Sequence, residues 1–241
     1  MSILATLAIG AAGSVLGAAI LALSAYFFGF GRTSFRNAIF FWRVTKRMKE
    51  NGLLNFFATR SEYVRYRQAG TICRYLDTAR HDVGYVGFWL AHGVEMSDVS
   101  RHLSLIVRRG IPVEIVLLNP DCAYISHLAS YINADEDAVV ARIKLAISNL
   151  ESARDSLPAD DRHKFRIKLH NELLTASAFV LDRRDREGRS RLLVDYKIHG
   201  HGRDNTYGLE FCQTEGDSLA NRLSKSYLDI ASSAPEISST R

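Results

Sequence analysis

The stretch that decides the fold reads HDVGYVGFWL at residues 81–90 and, after one helical segment, RRGIPVEIVLLNPD at residues 108–121. The runs 83–90 and 112–118 within it are apolar in the way of strands buried on both faces of a sheet. The segment between them has helical spacing and ends at Gly110. A strand, a helix and a second strand in this order predict a parallel β-α-β unit and an α/β fold.

Further elements are expected on both sides of this unit. Helices are predicted at 61–80, 97–109, 136–156 and 216–231, and further strands at 164–169, 175–182 and 190–198. The charged residues 183–189 read as a hairpin, with Gly188 in the turn. The serine-rich tail, 232–241, is expected to be disordered.

The first residues of the chain differ sharply from the rest. No charged side chain occurs from Met1 to Gly31, and residues 3–30 are one long apolar run. A bilayer core of ~30 Å needs about 20 apolar residues as a helix, so this run is long enough to span a membrane. A cleaved signal peptide is the alternative, but nothing basic precedes the run. We therefore expect a transmembrane anchor over residues 1–31.

Basic residues follow the anchor directly and account for much of the formal net charge of +5. Those that precede the first acidic residue, Glu50, are Arg32, Arg36, Arg43, Lys46, Arg47 and Lys49. Because lysine and arginine are enriched on cytoplasmic flanks, we expect a single-pass protein with its N-terminus outside and its C-terminal domain in the cytoplasm. Residues 32–50 are predicted to form a basic juxtamembrane helix on membrane lipid, or a straight continuation of the anchor.

Small residues form a stripe along the predicted anchor. The stripe consists of Gly10, Ser14, Ala18 and Ala22, beside the GxxxG pair Gly13 and Gly17. Such stripes let helices approach closely in lipid, so a homo-oligomer is expected. An alanine- and glycine-rich anchor also produces this spacing by composition alone.

Cysteine usage and short motifs exclude several classes of function. Cys73, Cys122 and Cys212 are far apart and belong to no CxxC or Cys/His cluster, which argues against a disulfide framework and a zinc site. No P-loop, GxGxxG, GxSxG or HExxH motif occurs, and neither a metal nor a cofactor is expected. Basic residues do not alternate with aromatic ones, so nucleic acid is not an expected partner.

The order of elements over 51–231 resembles one half of the phospholipase D superfamily, and in particular a bacterial branch of single-domain members. The segments that carry the resemblance are GLLNFFATR (52–60), HDVGYVGFWL (81–90), RRGIPVEIVLLNPD (108–121), KFRIKLHNELLTASAFVLD (164–182) and SRLLVDYKIHGHGRDNTYGLEF (190–211). The resemblance implies a mixed sheet flanked by helices.

Active members of that superfamily carry an HxKxxxxD motif, in which the histidine attacks phosphorus and the lysine neutralises phosphate charge. On the strand that leads to Asp182, the histidine and lysine positions are Thr175 and Ser177, so this sequence reads TxSxxxxD. Threonine without a neighbouring base is a poor nucleophile, and serine supplies no positive charge. The resemblance therefore implies a pseudoenzyme.

Other histidines are alternative nucleophiles. His170 precedes the motif strand, but Glu172 stands where a lysine is required and would repel phosphate. His199 and His201 follow another strand, with Asp204 nearby. An enzyme would need two such histidines to meet across a dimer, and a solvated turn histidine is the ordinary alternative.

Ligand-binding candidates come from the ends of the predicted strands, because ligands of open α/β sheets bind beyond the carboxyl ends of the strands. The candidates are Trp89, His92, Asn119, Asp121, His170, Thr175, Ser177 and Asn205. The phosphate pocket implied by the resemblance makes an anionic small molecule, a nucleotide or a phospholipid headgroup, the expected ligand.

Three functions follow from these observations. The first is a membrane-anchored, non-catalytic phospholipase D-like domain that binds an anionic ligand or a protein partner. The second is a membrane-associated phosphodiesterase or phosphatidyl transferase that works as a dimer. The third is a membrane effector whose cytoplasmic domain is a sensor.

Overall fold

The computed structural model describes residues 39–57, 72–90, 96–183, 190–196 and 207–237. The chain divides into two compact units, Met1–Lys49 and Glu50–Arg241. Asn51-Gly52, a turn signal that marks a domain boundary in the sequence, lies directly after this division. His92, His199, His201 and Asn205 lie outside the described residues, as do most of the predicted helix 61–80 and the residues 184–189 of the charged hairpin.

In the first unit, the described residues belong to a helix over 39–50, α1, in which every side chain is exposed. Its aromatic run includes Phe41 and Trp42, and the ammonium of Lys46 lies 5.4 Å from the centroid of the Trp42 ring. Among the parts of the chain that the structure describes, no helix is both long and apolar enough to cross a bilayer. The predicted anchor and its stripe of small residues lie outside those parts.

In the second unit, the described residues form a single seven-stranded mixed sheet with the order β1-β7-β6-β5-β2-β3-β4. The strands are β1 (Leu53–Phe57), β2 (Val83–Gly87), β3 (Val113–Leu118), β4 (Phe165–His170), β5 (Ala176–Leu181), β6 (Arg191–Tyr196) and β7 (Tyr207–Cys212). The helices are α2 (Ile72–Leu76), α3 (Met96–Arg108), α4 (Ile125–Tyr131), α5 (Glu136–Asp155) and α6 (Leu219–Ser233), with a 3-10 helix at Ala159–Lys164.

The predicted α/β architecture is confirmed. Strand β2 pairs in parallel with β3, as the predicted β-α-β unit requires, and β3 also pairs in parallel with β4. Strand β5 then pairs antiparallel with β2 and begins the antiparallel half of the sheet. The parallel strands β2 and β3 are buried at every position, which explains why Glu114 is the single charged residue in the two strands.

The two faces of the sheet carry separate apolar cores. On one face, Tyr85, Ile115 and Phe179 pack with residues of α2, α3 and α5. On the other, Val116 and Phe211 pack with the apolar side of α6. Helix α6 begins with Ser218, whose side chain accepts a hydrogen bond from the backbone N–H of Asn221 and so satisfies one of the free donors of the first turn.

Several elements were not predicted. Strands β1 and β7 and helix α4 are short, and Gly208, a residue type typical of turns, lies inside β7, opposite Asp195. Of the tail expected to be disordered, the structure describes residues 232–237, and these are ordered. The helix continues to Ser233, and the segment after it pairs with β4, because the Leu169 N–H donates to the Pro235 carbonyl at 3.1 Å and the Ile237 N–H donates to the Ile167 carbonyl at 2.9 Å. These hydrogen bonds pair backbone groups on the outer edge of β4, which explains why residues 234–237 are ordered.

Gly52 lies where the start of β1 approaches the end of β7. Its φ is +76°, and a Cβ atom there would lie 2.2 Å from the carbonyl oxygen of Cys212. The Gly52 carbonyl accepts a hydrogen bond from the Cys212 N–H at 2.8 Å. Glycine is therefore required at this position both for the backbone conformation and for the close approach of the two strands.

Candidate functional site

The parallel strands bring several predicted site residues to one edge of the sheet. Trp89 follows β2, Asn119 follows β3, and His170 ends β4. Strand β5 runs the other way, so Thr175 and Ser177 at its start reach the same edge. The Asn119 N–H donates to the His170 carbonyl at 2.8 Å, which fixes the ends of β3 and β4 together.

His170 is enclosed by the backbone at this edge of the sheet. The imidazole is buried, its Nε2 lies 3.2 Å from the Gly87 carbonyl oxygen, and its Nδ1 accepts from the Glu172 N–H at 3.1 Å. A carbonyl can only accept and a backbone N–H can only donate, so the ring is neutral with its proton on Nε2. Burial lowers the pKa of His170, although the contacts with Gly87 and Glu172 oppose that shift. Both ring nitrogens are therefore engaged in joining three segments of backbone.

Ser177 and Gly87 lie side by side on neighbouring strands. The Ser177 side chain is 2% exposed, and a Cβ at Gly87 would lie 2.6 Å from its Oγ. The Tyr85 hydroxyl, which donates to the Trp89 carbonyl at 2.7 Å, fills the remaining space above Gly87. The position at which the resemblance would place a lysine is therefore occupied by a small side chain packed inside the protein.

A third apolar cluster lies beyond the ends of β2 and β3. Phe88 and Leu118, at the strand ends, pack with residues of α4 and of the first turns of α5. Asn119 uses its side-chain oxygen to accept from the Asp121 N–H at 3.1 Å, an arrangement that stabilises the turn. Asn119 thus has a structural contact at the predicted crevice, and the Asp121 side chain is exposed.

Asp182, the last residue of the TxSxxxxD pattern, lies at the other end of β5. With φ of +59°, it directs its Oδ1 at the backbone N–H groups of Arg80 and His81, at 2.7 and 2.8 Å. Seven residues at about 3.3 Å each separate it from Thr175, so the two ends of the pattern lie roughly 20 Å apart. Asp182 stabilises the turn before β2 and does not approach Thr175.

Asp182 adjoins a buried ion network that sequence reasoning missed. The Arg183 guanidinium donates to Asp82 at 2.7 Å and to Glu114 at 2.9 Å, and Lys168 donates to Glu114 at 2.8 Å. Burial alone would raise the pKa of Glu114, but Lys168 and Arg183 outweigh it and the pKa is lowered. A glutamate inside the apolar strand VEIVLL was the signal for this network.

A cleft of about 570 Å³ opens beside Thr175, between the β4–β5 loop, the end of β6 and helix α6. Its size is that of a small-molecule site. Its polar and aromatic lining consists of Glu172, Thr175, Tyr196, Arg222, Lys225, Ser226, Tyr227 and Asp229. Thr175 is thus the one predicted ligand-binding residue that lines this cleft among those in the described parts of the chain.

A row of aromatic rings leads into the cleft along the sheet. Tyr196 and Tyr207 are opposite each other on β6 and β7, with ring centroids 5.0 Å apart and planes inclined by 8°. Phe56 on β1 continues the row, with its centroid 6.3 Å from that of Tyr207. Burial, with a smaller contribution from Tyr207, raises the pKa of Tyr196.

Cationic side chains stand across the cleft from this row. Arg222 and Lys225 are exposed and lie three residues apart, so they share one side of α6. The pairing of Arg222 with Asp217, at 3.6 Å, is an exposed contact of small energetic weight. Glu172 and Asp229 add two carboxylates, so the lining offers donors to an anion and acceptors to hydroxyl or amino groups.

Sequence reasoning missed Tyr196, Arg222 and Lys225 because they come from elements far apart in the chain. In the described residues, no group of three or more His, Cys, Asp and Glu side chains is placed to hold a metal ion. No known family matches this chain by its family model, and none of the curated proteins matches it either.

Proposed function

We propose that this protein is a membrane-tethered, non-catalytic phospholipase D-like domain that binds a phosphate-bearing anion, as a nucleotide or a phospholipid headgroup. The observation that carries the proposal is the cleft beside Thr175, into which α6 presents Arg222 and Lys225. Two neighbouring cations on a helix stabilise an anion by charge-assisted hydrogen bonds. The anion would bind on the side of Arg222 and Lys225, away from the carboxylates of Glu172 and Asp229 in the same lining.

The proposal that the domain lacks phosphodiesterase activity is supported by the surroundings of the motif positions. His170 has both ring nitrogens engaged, and Ser177 is packed against Gly87. A nucleophilic histidine needs an unprotonated nitrogen directed at the substrate, and a lysine must reach the phosphate. Neither requirement is met by the described residues of this edge.

The proposed membrane location is supported by the composition of α1. Exposed aromatic side chains, among them Phe40 and Trp42, are followed there by Arg43, Lys46 and Arg47. Aromatic rings favour the headgroup level of a bilayer, and cations bind anionic lipid. Extraction of cell membranes with alkaline carbonate should leave the chain in the pellet, and its release into the supernatant would contradict the membrane anchor.

Binding is tested by titrating the detergent-solubilised full chain with inorganic tripolyphosphate in a calorimeter. The double variant Arg222→Ala/Lys225→Ala should bind about a hundredfold more weakly, at roughly tenfold for each charge-assisted contact. The matched control is Arg142→Ala/Lys144→Ala, which removes the same charge from exposed positions of α5. Equal affinity for both double variants would show that the cleft is not the anion site.

Catalysis is tested separately with bis(p-nitrophenyl) phosphate. The wild-type chain should show no turnover above that of buffer, and Thr175→Ala should leave this background unchanged. Turnover that disappears in Thr175→Ala would overturn the non-catalytic part of the proposal and favour the phosphodiesterase.

A further inference from the structure

The cleft holds an aromatic wall that an anion alone would not need. Tyr196 lines the cleft, and Tyr207, which does not, stacks against Tyr196 in a nearly parallel orientation. Since Tyr207 covers one face of the Tyr196 ring, a ligand in the cleft can stack only on the other face. Tyr196 is half-buried and held by its strand, so its ring offers a flat surface at low entropic cost.

The stack is built into the sheet by register. Tyr196 lies opposite Tyr207 on β7 and opposite Ala176 on β5. On the β5 side, the Tyr196 ring therefore has only the methyl side chain of Ala176 as its neighbour in the register, and Ala176 also lines the cleft. Tyr196 is the last ring of the aromatic row, so it is the ring that a planar ligand meets when it enters beside Thr175.

The charged residues of the cleft complete a pattern of three chemical groups. Arg222 and Lys225 donate to an anion, the Tyr196 ring stacks on a planar group, and Glu172 or Asp229 accepts from hydroxyl or amino groups. A nucleotide carries all three, as phosphate, base and ribose or exocyclic amine. A phospholipid headgroup carries phosphate and, in some lipids, an amine, but no planar ring.

From this arrangement we infer that the ligand is a nucleotide whose base stacks on Tyr196 and whose phosphates bind Arg222 and Lys225. The inference rests on the proposed anion-binding function and makes it more specific. Stacking of a base on an aromatic side chain contributes about as much as one charge-assisted contact, so the base should raise affinity roughly tenfold over phosphate alone.

The experiment compares three probes on the detergent-solubilised full chain: ATP, inorganic tripolyphosphate and dihexanoyl phosphatidylserine. ATP should bind about tenfold more tightly than tripolyphosphate. Tyr196→Leu should remove this difference and leave the affinity for tripolyphosphate unchanged, whereas Tyr196→Phe, which keeps the ring, should retain it. Arg222→Ala/Lys225→Ala should weaken both probes, and Arg142→Ala/Lys144→Ala should weaken neither.

Each other outcome overturns the inference in a recognisable way. If ATP and tripolyphosphate bind equally and both depend on Arg222 and Lys225, the anion site stands and the base contributes nothing. If dihexanoyl phosphatidylserine binds in the cleft and ATP does not, the anion is a lipid headgroup. If no probe depends on Arg222 and Lys225, the proposed function fails together with the inference. Because Arg222 and Lys225 are exposed, their substitution tests binding even if a Tyr196 variant does not fold.

Discussion

The Nε2 of His170 lies 3.2 Å from the carbonyl oxygen of Gly87, and this contact links the end of β4 to the end of β2 across β3. The other ring nitrogen accepts from the backbone of Glu172 at the start of the β4–β5 loop. That loop carries Thr175 to the cleft. A histidine that resembled a nucleophile in the sequence therefore positions the loop beside the proposed ligand.

His170→Phe should destabilise the domain by roughly 2–4 kcal/mol, because the Gly87 carbonyl and the Glu172 N–H both lose their partner. Urea denaturation followed by circular dichroism measures the change in the free energy of unfolding. His127→Phe, at an exposed position, is the control and should change it by less than about 0.5 kcal/mol. A similarly small effect of His170→Phe would contradict the structural role of this imidazole.

The stability of the domain should fall as the pH decreases from 7 toward 5. Because burial lowers the pKa of His170 in the folded protein, the unfolded chain binds a proton near pH 6.5 while the folded chain does not. The contribution is present above pH ~6.5 and is lost progressively below it. Unfolding titrations at several pH values should give a shallower slope for His170→Phe than for the wild type, and identical slopes would exclude this imidazole as the cause.

Glu114→Gln should destabilise the domain by about 3 kcal/mol, since it leaves the largely buried cations of Lys168 and Arg183 facing a neutral amide. Thermal and urea unfolding measure the effect. Asp98→Asn removes one partner of an exposed pair with Arg101 and should cost less than about 1 kcal/mol. Equal effects of the two substitutions would show that the network around Glu114 adds nothing beyond a surface ion pair.

Gly52→Ala should be more destabilising than Gly110→Ala, although both glycines have a positive φ. At Gly110, where φ is +86°, an added Cβ meets nothing within 4 Å, so the cost is backbone strain of about 1–2 kcal/mol. At Gly52 the same strain is joined by a clash with the Cys212 carbonyl, which brings the loss to roughly 3 kcal/mol or more. The ranking would be wrong if both variants unfolded at the same urea concentration.

Local patterns in the sequence determined much of the fold. The apolar run at Val113–Leu118 and the helical spacing at Glu136–Asp155 specify their elements without reference to the rest of the chain. The order of β2, α3 and β3 along the chain predicted the parallel pairing of β2 and β3, since a right-handed crossover helix joins neighbouring parallel strands. The boundary near Asn51-Gly52 was equally local, because a turn signal interrupts the helical pattern there.

The tertiary structure alone decided the candidate site. The motif positions Thr175 and Ser177 are two residues apart, yet one lines a cleft and the other is packed against Gly87. Tyr196 and Arg222 both line that cleft only because α6 packs on the face of the sheet to which β6 contributes. Sequence periodicity tells which face of an element is apolar, but contacts between distant segments depend on how all the faces are buried together. That is why the sequence could predict strands and helices here, and only the folded chain brings the aromatic ring and the cations into one cleft.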